Sequence, residues 1–371
     1  MKKLGLIVNP LAGIGGRVAL KGSDGADTVR KAFALGATPV SPKRASEALK
    51  RLCCAKDAFE LVTYPGEMGE DVSVELGFSP TVVGSIEKGR TTANETKQAA
   101  RHMLGMGVAL ILFAGGDGTA RDIYDAVGGD VLVIGIPSGV KIHSGVFASS
   151  PMAAGELAML YLAGKATRVA ELEVMDIDED AFRNGVVKGK LYGYLKVPDE
   201  SRFIQGAKAG GHVGSDEFYV RAIAERIVQD MRPDCVYVVG SGTTTRAIME
   251  KLGLPNSLLG IDVVENGTLK ASDVTEKQLL EILKGREAEI IVTPIGGQGY
   301  IFGRGNQQLS PEVIRMVGVE NIKIIATPGK ILSLPAQLLR VDTGDAELDE
   351  LLRGPRRVIT AFSETAILEV V

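Results

Sequence analysis

The stretch VALILFAGGDGTARDIYDAV, residues 108–127, sets a carboxylate among glycines directly after a continuous apolar run. Gly115 and Gly116 admit backbone angles closed to other residues, and Gly118 leaves room beside Asp117. Thr119 is placed to cap the helix that follows, whose amino end attracts anions. An aspartate gains nothing as a ligand for phosphate, because like charges repel. It gains as a ligand for Mg²⁺, a role open to Asp117 or to Asp122 further along the same helix, or as a base near an attacking hydroxyl. The plain alternative is an aspartate that only caps the helix. The clustering of GGDGT after a buried strand favours chemistry.

Other loops carry compatible groups. NPLAGIGGR (9–17) follows the first apolar run, and Gly13, Gly15 and Gly16 could turn backbone N–H groups toward phosphate oxygens with help from Asn9 and Arg17. It matches neither G-x-x-x-x-G-K-[ST] nor G-x-G-x-x-G, and a structural turn is the alternative. In IPSGVKIHSG (136–145), Ser138, Lys141, His143 and Ser144 crowd one short loop, where Lys141 could neutralise phosphate charge. VVGSGTTTRAIMEKLG (238–253) brings Gly240, Ser241, Gly242, Thr243 and Thr244 to the start of a helix, a second anion-competent turn unless the threonines merely cap it. GGQGYIFGRGNQQLS (296–310) holds Arg304, Asn306, Gln307 and Gln308, which could read a nucleotide or satisfy their own turns. VDTGD (341–345) offers Asp342 and Asp345 as further metal or hydroxyl ligands.

The elements that must position these loops are legible as apolar runs of strand length. LGLIV (4–8), FELVTY (59–64), TVV (81–83), VALILFA (108–114) and VLVIGIP (131–137) alternate with helical patterns. Among the latter, Thr92 and Glu95 have capping-box spacing, with Ala99, Ala100, Met103 and Leu104 on one face. Continuous apolar strands between helices argue for an open parallel sheet with helices on both faces. That domain is expected over 1–166, ending with the helix at 152–165. A second domain, 167–371, is expected to open with antiparallel strands over 167–198, turning near Asn184-Gly185. A hinge-like GAKAGGHVGSD (206–216) then leads into a further β/α series over about 215–335. Its strands are CVYVVG, LLGIDVV, EIIVTP and IKIIAT. Ligands bind at the carboxyl ends of strands in open α/β sheets, and every loop above follows such a strand.

Composition narrows the class. A net charge of −4 offers no broad attraction for nucleic acid. No run approaches the roughly 20 apolar residues of a membrane helix, and Asn9-Pro10 cuts the first run short of a secretory core. Three cysteines cannot frame a disulfide scaffold, and no His/Cys set has zinc-ligand spacing. A cytoplasmic protein is expected, with a homo-oligomer as the base-rate expectation.

IVNPLAG, GGDGT and IPSGVKIHS, in this order after successive strands, resemble the NAD kinase and diacylglycerol kinase superfamily, in particular its ATP-NAD kinase-like branch that includes the acetoin-catabolism X proteins. TPIGGQGYIFGRGNQQLSP (293–311) and LLRVDTGD (338–345) extend the resemblance into the later half. It implies ATP- and Mg²⁺-dependent phosphoryl transfer to a hydroxyl acceptor, first of all the ribose 2′-hydroxyl of NAD to give NADP. Asp117 would lie beside that hydroxyl, and Gly115, Gly116 and Gly118 would line the nucleotide site. Such transfer needs positioning and charge neutralisation more than covalent chemistry. Two features depart from NAD kinases. The Asn-acidic motif expected after GGDGT has no clear copy, with only ELEVMDID (171–178) and SDE (215–217) near its place, and the later β/α series differs from a mainly β carboxyl-terminal domain. A kinase for another small hydroxyl metabolite and a non-catalytic nucleotide sensor are the alternatives.

Overall fold

The computed structural model describes residues 1–20, 26–140, 142–177, 189–200, 203–204, 216–257, 259–295 and 297–371. Lys141, the Asn184-Gly185 turn, the start of the 206–216 segment and Gly296 lie outside them. The chain divides into two compact units. One comprises Met1–Ile14, Gly22–Ala34 and Thr38–Ala207; the other comprises Gly15–Lys21, Leu35–Ala37 and Lys208–Val371.

In the first unit, β1 (Lys2–Val8), β2 (Phe59–Thr63), β3 (Thr81–Val82), β4 (Leu110–Gly115) and β5 (Leu132–Pro137) form a sheet in the order β3-β2-β1-β4-β5, with every pairing parallel. Between the strands run α1 (Ala26–Ala34), α2 (Ser41–Lys50), α3 (Glu70–Glu75), α4 (Ala93–Gly105) and α5 (Asp117–Val127), and α6 (Pro151–Leu162) follows β5. Strand side chains alternate between faces, so a continuous apolar strand must bury both. Leu4, Leu6, Leu110 and Leu112 pack with Leu49 of α2 and Leu157 of α6. Ile7, Ile111 and Phe113 pack on the other face with Met103 of α4 and Ile123 of α5. The expected capping box starts α4: Thr92 N donates to Glu95 Oε2 at 2.7 Å.

The antiparallel pair β6 (Val169–Ile177) and β7 (Gly189–Pro198), read from the sequence as the opening of the second domain, packs within the first unit. The reason is apolar: Val174, Leu195 and Val197 are buried in the same cluster as Phe113 and Ile123.

The second unit has a mixed sheet in the order β10-β9-β8-β11-β13-β15-β16. Its strands are β8 (Val236–Val239), β9 (Asp262–Glu265), β10 (Thr268–Ala271), β11 (Ala288–Val292), β13 (Ile322–Ile325), β15 (Gly354–Ile359) and β16 (Thr365–Val370). The central β8, β11, β13 and β15 are parallel, whereas β9 pairs antiparallel with β8, β10 antiparallel with β9, and β16 antiparallel with β15. β12 (Tyr300–Phe302) and β14 (Arg340–Val341) pair separately. The two faces again bury alternate residues, Val236, Val238 and Ile290 on one and Tyr237, Val239 and Ile291 on the other.

Asp345, offered by the sequence as a metal or hydroxyl ligand, is a helix cap here. Its Oδ1 accepts from Leu348 N at 2.9 Å at the start of the helix Ala346–Leu352, and its two oxygens accept from Arg315 at 2.8 and 3.0 Å. Chiefly the Arg315 hydrogen bonds, then the helix N–H, hold the carboxyl down at about 2, against 3.8 for a free aspartate. A carboxyl whose folded pKa lies below its unfolded one stabilises above the unfolded value and loses that contribution as pH falls. Asp345→Ala is therefore expected to cost about 1 kcal/mol at neutral pH. Urea unfolding should show the gap closing as pH drops from about 4 toward 2.

Candidate functional site at the GGDGT turn

β4 delivers Gly115 and Gly116 to the carboxyl edge of the first sheet, and α5 begins at Asp117. Neither glycine has a positive φ. Their need for glycine is space: a Cβ on Gly115 would lie 2.4 Å from the Thr119 side chain, and one on Gly116 would lie 3.1 Å from Gly139 Cα. Close packing, not a forbidden backbone angle, selects them. Nor does Thr119 cap the helix, because Gly116 occupies the cap position. Thr119, buried in the first turn, instead accepts from Asn9 Nδ2 at 3.0 Å. Asn9 Oδ1 takes Leu11 N at 3.1 Å, so one side chain ties the loop after β1 to the turn after β4.

Asp117 is turned toward the loop after β5. Oδ2 accepts from His143 N at 2.8 Å and meets His143 Nδ1 at 3.2 Å. Oδ1 accepts from Ser144 N at 3.0 Å and Ser144 Oγ at 2.6 Å. A carboxylate offers about four lone-pair sites, and all four are engaged. The Ser144 hydroxyl also accepts from Met175 N at 2.9 Å, which fastens β6 to the arrangement. Both Asp117 and His143 side chains are 11% exposed, so the pair is largely screened from water yet reachable.

A cavity of about 640 Å³ opens beside the turn, lined by Asn9, Gly116, Gly118, Thr119 and Gly139 together with residues of α1, α4 and α5. That size suits a nucleotide-like ligand, since small-molecule sites run roughly 300–1,000 Å³. The sequence reading missed Arg30, Arg90, Thr91 and Arg121, which also line it. A run of two threonines after an arginine, GRTT before a capping box, was the available signal.

Asp122 lines the same cavity, but Lys97 Nζ lies 3.5 Å from its Oδ1. Burial pushes the Asp122 carboxyl upward, partly offset by Lys97. Asp117 has all its lone-pair sites engaged, and Asp122 Oδ1 is ion-paired with Lys97. Among the described residues no group of three or more acidic, His or Cys side chains could hold a metal. Among the described residues, the donor set at this turn does not fit Mg²⁺.

The loop after β1 is shared between roles. Gly13 has φ +79°, and a Cβ there would fall 2.0 Å from the Ser138 carbonyl oxygen. Gly13→Ala is expected to cost about 3 kcal/mol through backbone strain and overlap, read as a lower urea midpoint. Gly15 and Gly16 belong to the second unit. There Arg17, expected to help hold phosphate, faces Glu276 at 3.4 Å instead. Ser138 is buried, and its hydroxyl donates to Ile136 O at 3.3 Å.

In the second unit, Gly240 and Ser241 follow β8, Gly242 caps the helix Thr243–Lys251, and Thr243 is exposed while Thr244 is buried. Ser241 Oγ donates to Gly305 O at 3.3 Å. Asn306 satisfies its own turn, accepting from Gly303 N at 3.1 Å and donating to Ile301 O at 2.8 Å. Asp342, offered by the sequence as a metal or hydroxyl ligand, is ion-paired: Arg304 Nε and Nη2 reach its Oδ2 at 3.2 and 3.1 Å.

Fold and site define an open α/β protein with a cavity where strands β1 and β4 end. Its sequence matches the ATP-NAD kinase N-terminal domain over residues 4–166 and the ATP-NAD kinase C-terminal domain over residues 232–370. The chain belongs to the ATP-NAD kinase family and is a small-molecule kinase, an enzyme of phosphoryl transfer. The second match falls on the α/β unit that had looked foreign to NAD kinases. A search of curated proteins found no match. Among the described residues no helix is long and apolar enough to cross a membrane.

Proposed function

We propose that the protein transfers the γ-phosphoryl group of ATP to the ribose 2′-hydroxyl of NAD, giving NADP and ADP. The observation that carries this reading is the joining of Asp117 to His143 beside a nucleotide-sized cavity whose wall includes Gly116, Gly118 and Thr119. A neutral imidazole donating from Nδ1 to Asp117 would keep Nε2 as an acceptor. The new bond joins the acceptor oxygen to the γ-phosphorus as the bond to the β-γ bridging oxygen breaks, and ADP leaves with that electron pair. The acceptor proton passes to Nε2 of His143, while Asp117 orients the ring and stabilises the imidazolium, as in other Asp-His pairs. Arg90 and Arg121 supply positive charge for phosphates at the cavity wall. A divalent ion accompanying ATP would sit chiefly on the nucleotide's own phosphates.

The test is NADP formation by purified protein supplied with NAD, ATP and MgCl₂, with ADP measured in parallel. The expected result is NADP and ADP in equal amounts. ADP formed only with a different hydroxyl acceptor would replace NAD in this reading. No ATP consumption with any acceptor would overturn it in favour of a nucleotide sensor.

A further inference from the structure

The cavity beside the GGDGT turn has four charged wall residues, Arg30, Arg90, Arg121 and Asp122, all within the first unit. Three are cations, and one is an acid. Arg30 and Arg90 have side chains 79% and 76% exposed, each beside its own acidic neighbour, Asp27 and Glu87. The Asp122 side chain is 18% exposed, so its carboxylate stands deeper in the wall than those two arginines. Thr119 and Asp122, three residues apart on α5, share a helix face, which carries the carboxylate one turn along from the glycine turn.

Lys97 is shared between two acids and favours the other one. Its Nζ lies 3.5 Å from Asp122 Oδ1 but donates to Asp125 Oδ2 at 2.7 Å. Asp125 is fixed in turn by Tyr192 of β7, whose hydroxyl donates to Oδ1 at 2.9 Å. Among the described residues no hydrogen bond reaches the second oxygen of Asp122. A carboxylate repels phosphate, so in a nucleotide-sized cavity it serves a part of the ligand that donates hydrogen bonds. A nucleotide has two such parts. The adenine amino group is flanked by ring-nitrogen acceptors, a pattern that suits Asn or Gln rather than a carboxylate. A ribose presents two adjacent O–H donors, which match an acceptor-only carboxylate.

We propose that Asp122 is a specificity-determining residue of this cavity, accepting from the ribose 2′- and 3′-hydroxyls of ATP and so selecting a ribonucleotide as phosphoryl donor. The inference rests on the kinase reading for the identity of the ligand. The arginines supply charge for the phosphates, and Asp122 reads the sugar. The same negative charge turns away a nucleotide whose ribose carries a phosphate at that position.

The experiment is calorimetric titration of the full-length protein with ATP and with 2′,3′-dideoxy-ATP, with no acceptor present. The wild-type protein is expected to bind ATP about tenfold tighter or more, the worth of hydrogen bonds to a charged group. In Asp122→Ala that ratio should fall below about twofold. The ratio is the readout because removing a negative charge favours the phosphates of both nucleotides alike. Binding of dideoxy-ATP also reports that the variant is folded, and the near-isosteric Asp122→Asn, expected to lower the ratio as well, replaces Asp122→Ala should it fold poorly. Equal wild-type affinity for the two nucleotides, or an undiminished ratio in the variant, would overturn the role of Asp122 and leave the kinase reading standing. Failure of the wild-type protein to bind either nucleotide would overturn the kinase reading, and this inference with it.

Discussion

Asp117→Asn is expected to lower the turnover number for NADP formation by about 10²–10⁴ while KM for ATP moves only a few-fold. The substitution acts in two ways. In the proposed mechanism, an amide cannot stabilise the imidazolium formed as His143 takes the acceptor proton. Its NH₂ also faces donors on both sides, since Asp117 now accepts from His143 N, His143 Nδ1, Ser144 N and Ser144 Oγ. One of those groups must then lose its partner. His143→Gln separates the contributions: it keeps a polar side chain and leaves the backbone N–H donors of residues 143 and 144 in place, so the loop should hold. If Asp117 and His143 work as one unit, the double variant will lose about as much rate as the worse single variant, because residues of a unit are strongly non-additive. Wild-type turnover in Asp117→Asn would refute the catalytic assignment. A fall in stability with turnover unchanged would leave Asp117 a loop anchor only.

The second large effect concerns stability. Asp342→Ala is expected to destabilise the second unit by about 3–5 kcal/mol, because it strands a buried guanidinium. Arg304 and Asp342 are 5% and 6% exposed, Arg304 reaches Asp342 Oδ2 through two nitrogens, and its guanidinium also stacks 4.7 Å from the centre of the Tyr300 ring. The pair joins the turn after β12 to the segment after β14. Replacing both partners by apolar residues, Arg304→Met with Asp342→Leu, should recover most of the loss, since two apolar groups leave no orphaned charge. Urea unfolding of the single and double variants gives the comparison. A loss under about 1 kcal/mol for Asp342→Ala would mean that the pair is solvated in the folded protein.

By itself the sequence determined where the strands of the first sheet and helices α4 and α6 run, but not the strands that close the second sheet after residue 335. Apolar runs such as LILFA in β4 mark strands buried on both faces, and the Thr92-Glu95 box marks the start of α4. Both signals are local, because a strand's alternation and a cap's hydrogen bonds are settled among residues a few positions apart. The sequence also singled out GGDGT, since so many special residues in one turn answer a local steric demand. It did not reveal which demand. Gly115 yields to the Thr119 side chain and Gly116 to Gly139, contacts that exist only once α5 and the loop after β5 have packed. Tertiary structure alone decided what Asp117 does, because its four donors come from residues 26 and 27 positions away. It likewise paired Arg17 with Glu276, matched Arg304 to Asp342, drew β6 and β7 into the first unit, and set Lys330 beside Thr293. A charge's partner is fixed by distance through space, and the free energy of an ion pair or hydrogen bond carries no trace of sequence separation. For that reason the turn was legible in the sequence, and the partners of its aspartate only in the fold.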